Sequence, residues 1–374
     1  MSEPSGPCGL GVSRERRSAV AARQAVGEAC ARAVAPIRTV LLVATGEHAD
    51  VPGLAAAAAD AAGGARLVGA VSSGVVAGGA ELESGPGVAA LAFGEGAPVA
   101  TPYWIGGEPP ATTEPPGAVV VFADGSSGAP EGALKRLAAT LPEGTPIVGT
   151  IAVAGTAGAP LPRFVDQATS MSRPAGLLLA RAGEVIVGVA EGCQPVGPSH
   201  EVTTARGNVI ERLDGRPAFE VFAARARPLL DDLPRAAQTV FLAIDDPRGR
   251  EGWVLRGVIG FDPKGGLLAV SGPVAVGNRL RFALREGATA RAGLHAMLDE
   301  VKTRLGGRRP RLALWFASAG RGRALFGVPD HDAAFLGASL GDVPVVGLLG
   351  GSEIAPASGG EARLHVFSGV LVVA

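Results

Sequence analysis

One pattern occurs three times along this chain, and it restricts the possible folds more than any other feature. It opens with an apolar run rich in β-formers and passes a polar, Gly-containing loop into an Ala/Leu-rich helical segment. A second apolar run ending in Gly follows, then a Gly-rich loop and a further apolar run. The first copy runs from Thr39-Val40-Leu41-Leu42-Val43 through a helix near Val51 to Ala62. It continues to Arg66-Leu67-Val68-Gly69, Ser72-Ser73-Gly74 and Gly87 to Phe93. The second runs from Ala118-Val119-Val120-Val121-Phe122 through a helix near Glu131 to Leu141, to Pro146-Ile147-Val148-Gly149 and Gly176-Leu177-Leu178-Leu179. The third runs from Leu312-Ala313-Leu314-Trp315-Phe316 through a helix near Asp330 to Leu340, to Pro344-Val345-Val346-Gly347 and Gly369 to Val373. Abundant Ala, Gly and Val can by themselves manufacture similarity, but here the order of features matches as well as the composition.

Apolar runs of about five residues without alternation suit strands buried on both faces. The Gly that ends each second run can adopt positive φ or permit close backbone approach. Between the second and third copies the texture changes. His200 to Leu213 alternates around Gly207-Asn208, a hairpin signal. Arg216-Pro217 opens a helix over Ala218 to Leu230 with Asp214 as its cap. Strands are expected over Thr239 to Ile244, Gly252 to Gly260, Leu267 to Ser271 and Arg279 to Leu284, with a turn at Asp262 to Gly266. A helix over Thr289 to Leu305 ends at Gly306-Gly307. Upstream, Ser13 to Val34 reads as an amphipathic helix capped by Ser13. The expected fold is α/β, with mixed β-sheets built from three β-α-β-β units, an inserted antiparallel portion, and helices on the outer faces. A boundary near Gly192 divides 1–191 from 192–374.

Apolar residues make up 47% of the chain and charged residues 18%, so a large core can be buried. The net charge of −1, without a basic stripe interleaved with aromatics, argues against nucleic acid as a partner. The densest cationic stretches, Arg14 to Arg17 and Gly307 to Arg311, read as a helix start and a loop. Cys8, Cys30 and Cys193 are far apart and form neither a metal spacing nor a disulfide framework. The first residues lack a basic segment followed by an apolar run, so no signal peptide is expected. Charge interrupts every long apolar stretch, so a cytoplasmic protein off the membrane is expected.

Several motifs carry possible chemistry. Gly337-Ala338-Ser339-Leu340-Gly341 matches G-x-S-x-G, but Ser339 ends a helix instead of starting one from a strand. Asp330-His331-Asp332 is a metal-ligand candidate, yet the other histidines show no paired spacing, and helix capping is the preferred reading. Gly320-Arg321-Gly322-Arg323 follows the third copy's first strand, where open α/β sheets place ligands, and an arginine there can hold a carboxylate or phosphate. No complete dinucleotide or Walker pattern is present, and no cofactor is implied. Glu353 is a lone acid in an apolar stretch just past the third Val-Val-Gly. It is a candidate to pair with Arg321 or to accept a ligand amine. Cys193 reads as an inert buried thiol.

These residues carry a resemblance. Gly192-Cys193-Gln194-Pro195-Val196-Gly197, Val202-Thr203, Gly207-Asn208-Val209-Ile210 and Leu213 to Ala218 are similar, in order, to the FIST C-terminal domain pattern. So are Phe316, Arg321-Gly322, Leu325-Phe326-Gly327, Asp332, Pro344, Gly347, Glu353-Ile354 and Pro356. Val40 to Phe93, with Val68-Gly69 and Gly74-Val75-Val76, resembles the FIST N-terminal domain. Together they cover nearly the whole chain, as a FIST N-terminal domain over 1–191 and a FIST C-terminal domain over 192–374. The resemblance implies a bacterial, cytoplasmic sensory module that binds a small metabolite such as an amino acid and signals to a protein partner in trans. Related chains often carry Phe-x-Cys before the Arg-Gly, whereas this one has Phe316-Ala317-Ser318, so no thiol is expected to act there. The expected ligand-binding residues are Ser318, Arg321, Gly322, Gly350 and Glu353, with no catalytic residue and no metal. The alternatives are a hydrolase or isomerase acting on a carboxylated metabolite, and an interaction scaffold without a ligand. The sequence shows no nucleophile with a base in reach, so an enzyme is the less favoured reading.

Overall fold

The three runs that open the repeats become β2 (Thr39–Thr45), β8 (Pro116–Asp124) and β21 (Ala313–Ser318), buried along almost all of their length. They are seen in a computed structural model that describes residues 6–112, 114–124, 130–153, 161–180, 185–226, 236–237, 239–245, 253–357 and 360–374. Each pairs in parallel with the second run of its own copy: β3 (Arg66–Ser72), β9 (Ile147–Ala152) and β22 (Val345–Gly350). The crossovers are α2 (Val51–Ala61), α3 (Pro130–Ala138) and α7 (His331–Leu340). The return strands β6 (Val88–Phe93), β12 (Ala175–Ala180) and β25 (Gly369–Val373) lie antiparallel on the far side of each first strand. All three copies therefore share the order read from the sequence.

The sheet edges add what the repeat alone does not contain. A strand upstream of each copy flanks its return strand: β1 (Cys8–Ser13), β7 (Ala100–Trp104) and β13 (Ile186–Ala190). At the other edge each sheet receives a hairpin from a different copy. Hairpin β4–β5 (Gly74–Ala77, Ala80–Leu82) of the first copy joins β22 of the third. Hairpin β10–β11 (Arg163–Val165, Ala168–Ser170) of the second joins β3 of the first. Hairpin β23–β24 (Ser352–Pro356, Ala362–His365) of the third joins β9 of the second. The exchange is cyclic and the three six-stranded sheets have one strand order, which is a pseudo-threefold topology.

The glycine of each Val-Gly signature sits at one register position in all three sheets. Gly69 lies opposite Leu42, Gly149 opposite Val121 and Gly347 opposite Trp315. A Cβ at any of them would collide with the carbonyl oxygen of the residue opposite, so only glycine lets the parallel strands close. Alternation then divides the faces. Leu41, Val43, Val120, Phe122, Leu314 and Phe316 point into one shared core, where the Phe122 and Phe316 rings meet edge to face at 5.9 Å. Val40 and Leu42 face outward onto α1 (Ser18–Arg32) and α2, Val119 and Val121 onto α3, and Ala313 and Trp315 onto α7 and the Leu294–Leu305 part of α5 (Gly287–Leu305). The helices thus cover the outer faces.

These elements make one compact unit from Met1–Ala190, Leu294–Pro356 and Gly360–Ala374, and Glu191–Gly293 forms most of another. The second unit is antiparallel, as expected. It contains β14 (Cys193–Arg206), β15 (Val209–Leu213), β16 (Arg216–Pro217), β17 (Val240–Asp245), β18 (Trp253–Asp262), β19 (Leu267–Val270) and β20 (Arg279–Arg285). Their order is β14-β20-β17-β18-β19-β15-β16, and a further pairing of β14 with β15 closes the sheet on itself. Phe222 on α4 (Ala218–Arg225) packs its ring against Phe261 and Phe282 in this unit's core.

Two local expectations need correction. The helix expected from Ser13 begins at Ser18, because Cys8–Ser13 is an edge strand and the Ser13 hydroxyl is occupied with Gln24 and the Glu15 N–H. Asp214 does not cap α4, whose N-cap is Pro217; its carboxylate instead accepts from the Glu201 N–H at 2.8 Å and pairs with His200 at 2.6 Å. The part of that helix expected past Ala226, up to Leu230, lies outside the described residues. No helix among the described residues is long and apolar enough to cross a membrane.

Candidate functional site

The register places Thr45, Asp124 and Ser318 at equivalent positions, the last residue of each first strand, and all three are buried. Three residues on, the chain turns in the same way in the first and third copies. The His48 N–H donates to the Thr45 carbonyl at 3.1 Å and the Arg321 N–H to the Ser318 carbonyl at 2.8 Å. Both side chains are buried at 1% exposure, which is costly for an arginine unless it is paired.

Asp332 on α7 pairs with Arg321. Nε donates to Oδ2 at 2.7 Å and Nη2 to Oδ1 at 3.1 Å, a bidentate fork with both partners out of solvent. His331 Nδ1 lies 3.0 Å from Oδ1 of the same carboxylate. Burial pushes the Asp332 carboxyl up, but the His331 contact and the Arg321 guanidinium outweigh it and hold the group below the usual carboxylate range. Aromatic rings complete the setting. The guanidinium lies 5.4 Å from the Phe326 ring and 6.0 Å from the Trp315 ring, and Phe326 stacks on His331 at 3.6 Å. Two buried donors remain over: neither Arg321 Nη1 nor Trp315 Nε1 has a hydrogen-bond acceptor among the described residues.

The exchanged hairpin supplies the acid of this site. Glu81 on β5 accepts the Ala333 N–H at 2.9 Å through Oε1, and its own N–H donates to Asp330 Oδ1 at 2.6 Å. Its Oε2 is buried without a hydrogen-bond partner among the described residues. Burial pushes the Glu81 carboxyl up to about 7, and the nearby Asp332 charge adds to the rise. Glu83 accepts the Arg323 N–H at 2.8 Å and fills the space where a Gly322 Cβ would stand. The short helix α6 (Gly322–Phe326), which carries Phe326 over Arg321, is bounded by Gly322 at φ 50° and Gly327 at φ 76°.

Of the five residues expected to bind ligand, Arg321 is bonded through its N–H to the Ser318 carbonyl, while Arg321 and Glu353 have different side-chain partners. Ser318, Gly350 and Glu353 come together. Ser318 lies opposite Gly350, and its N–H donates to the Ser368 carbonyl at 3.0 Å. The Ser368 hydroxyl donates to Glu353 at 2.6 Å. Glu353 faces Thr150 across the exchanged edge, the position that Arg163 holds in the first sheet; there Arg163 pairs with Asp124 at 2.7 Å. A Cβ on Gly350 would strike the Thr150 hydroxyl. Arg321 turns its side chain to Asp332, among Trp315 and Phe326, with His331 on the same carboxylate. Asp330 is the N-cap of α7, but its side chain makes no capping bond and holds Glu81 instead. Ser339 of the G-x-S-x-G match sits in the last turn of α7.

A pseudo-threefold arrangement of α/β units with buried charge at the strand ends defines the class of protein, and the family follows from comparison. The FIST N domain matches residues 38–216 and the FIST C domain residues 218–356, so this chain belongs to the FIST family, whose domains are associated with sensory and signalling roles. It is 30% identical over 394 residues to the Mycobacterium tuberculosis (strain H37Rv) uncharacterized protein Rv0628c, covering 96% of this chain and 97% of that one. It is also 33% identical over 231 residues to the Mycobacterium bovis uncharacterized protein Mb0898c, covering 60% of this chain and 59% of that one.

Proposed function

We propose that this chain is a sensory module that binds a small carboxylated metabolite, an amino acid being the best fit, at the Arg321 cluster and reports to a separate protein. The observation that carries this reading is the pair of buried donors without acceptors among the described residues, Arg321 Nη1 and Trp315 Nε1, 6.0 Å separating the guanidinium from the Trp315 ring. A buried donor left unpaired costs about 1–3 kcal/mol, and a ligand carboxylate would satisfy both. Glu81 Oε2 is the complementary acceptor for an ammonium. In this reading Glu81 takes the role that the sequence suggested for Glu353. Phe326 of α6 lies over the guanidinium, so in this reading a ligand enters by displacement of α6, whose bounding glycines are the places for the backbone to turn. Movement of α6, exposed at Val328 just beyond it, is the signal a partner would read.

The test is a thermal-shift panel of the common amino acids and short carboxylates on the parent, Arg321→Ala and Arg321→Lys. A ligand at a hundredfold its Kd should stabilise the parent by about 2.7 kcal/mol, Arg321→Lys by part of that, and Arg321→Ala not at all. A ligand that stabilises parent and Arg321→Ala equally would remove Arg321 from the site.

A further inference from the structure

A second feature of the same compact unit has a lining that does not include Arg321. A cleft of about 800 Å³ opens between the start of β1, the β4–β5 turn, the loop entering β21 and the segment leading from α7 into β22. That volume is within the range of about 300–1,000 Å³ typical of small-molecule sites. Its lining is mixed: Leu10, Val76, Val343 and Val345 form an apolar part beside nearly as much polar surface. Small residues, Gly78, Gly79 and Gly337, are also part of the lining, and Gly78 (φ 58°) and Gly79 (φ 79°) form the turn of the β4–β5 hairpin.

The charge on the lining is one-sided. Arg32, Arg309 and Arg311 face a single acid, Asp342. Arg309 already donates to the Asp342 carbonyl at 2.8 Å, and Arg32 pairs with Glu28 at 2.7 Å. The Arg311 backbone N–H is tied to the Ala374 carbonyl at 2.6 Å, which fixes the base of a side chain that stands exposed at the cleft. An apolar patch beside an exposed arginine suits a molecule with an apolar body and an anionic head.

We infer that this cleft is a second ligand site, for a medium-sized amphiphilic anion whose head is held by Arg311 and whose body lies on Leu10, Val76, Val343 and Val345. The carboxylate and phosphate forms of such a molecule share this chemistry. The inference stands independently of the Arg321 site.

The experiment is isothermal titration of the full chain with octanoate, octyl phosphate and octan-1-ol. Saturable one-to-one binding of octanoate or octyl phosphate is expected, with octan-1-ol at least tenfold weaker; whichever anion binds more tightly identifies the head group. Arg311→Gln, which changes an exposed side chain, should weaken the anion at least tenfold and leave octan-1-ol unchanged. Leu10→Trp, which fills the cleft from a partly exposed wall, should remove binding of all three. No saturable binding of either anion, or an Arg311→Gln protein that binds as tightly as the parent, would overturn the inference.

Discussion

At the scale of single residues the third copy concentrates its charge where water is absent. Arg321 and Asp332 compensate each other, whereas Glu81 has only backbone donors to set against its burial. A carboxyl whose folded pKa is raised to about 7 from an ordinary value of 4.5 makes folding less favourable as it ionises. The contribution is fully present below pH 4.5 and lost as pH rises through about 7. From that span the penalty above pH 7 is about 3 kcal/mol. Glu81→Gln keeps an oxygen for the Ala333 N–H and removes the charge. Urea denaturation should therefore find it more stable than the parent at pH 8 and close to level with it at pH 4. Equal stability at both pH values would show that Glu81 ionises without cost. None of this was legible in the sequence, because Glu81 reaches Ala333 only through a hairpin donated by another copy, 252 residues away along the chain.

At the scale of elements the sequence was far more legible. Uninterrupted apolar runs located the nine repeat strands, and the crossover helices fell within a few residues of their expected bounds. The signature glycines permit close approach, and the structure shows to what. Each sits against a carbonyl of the neighbouring parallel strand. Gly347→Ala should push β22 off β21 at Trp315 and lower stability by about 1–3 kcal/mol, as overpacking of a core does. Chemical denaturation measures this, and a change under 0.5 kcal/mol would show that the strands relax without cost. The N-terminal strand was missed for a physical reason. Cys8–Ser13 is an edge strand whose glycines lower its apparent hydrophobicity, and Ser13 with Glu15 imitates a helix start.

For the whole molecule, cyclic exchange of hairpins ties three similar copies into one core, and it also decides where function can reside. The exchanged edge brings Glu353 of the third copy into the second sheet, and Glu81 of the first copy against α7 of the third. The expected pairing of Arg321 with Glu353 treated both as loops of one sheet, which β21 and β22 alone suggest; β23 leaves that sheet for another. What remained legible was that Arg321 follows a strand end in the third copy and is the residue to question. The most direct measurement uses the three tryptophans of the chain. In a ¹H–¹⁵N spectrum each gives one indole N–H signal, and Trp315→Phe identifies the signal from Trp315. Titration with acetate, glycine and glutamate should shift the Trp315 indole proton downfield in a saturable way for at least one of them, as its N–H gains a carboxylate acceptor, while Trp104 and Trp253 stay in place. If all three signals stay fixed, or if the Trp315 signal still moves equally in Arg321→Ala, no carboxylate site exists at Arg321.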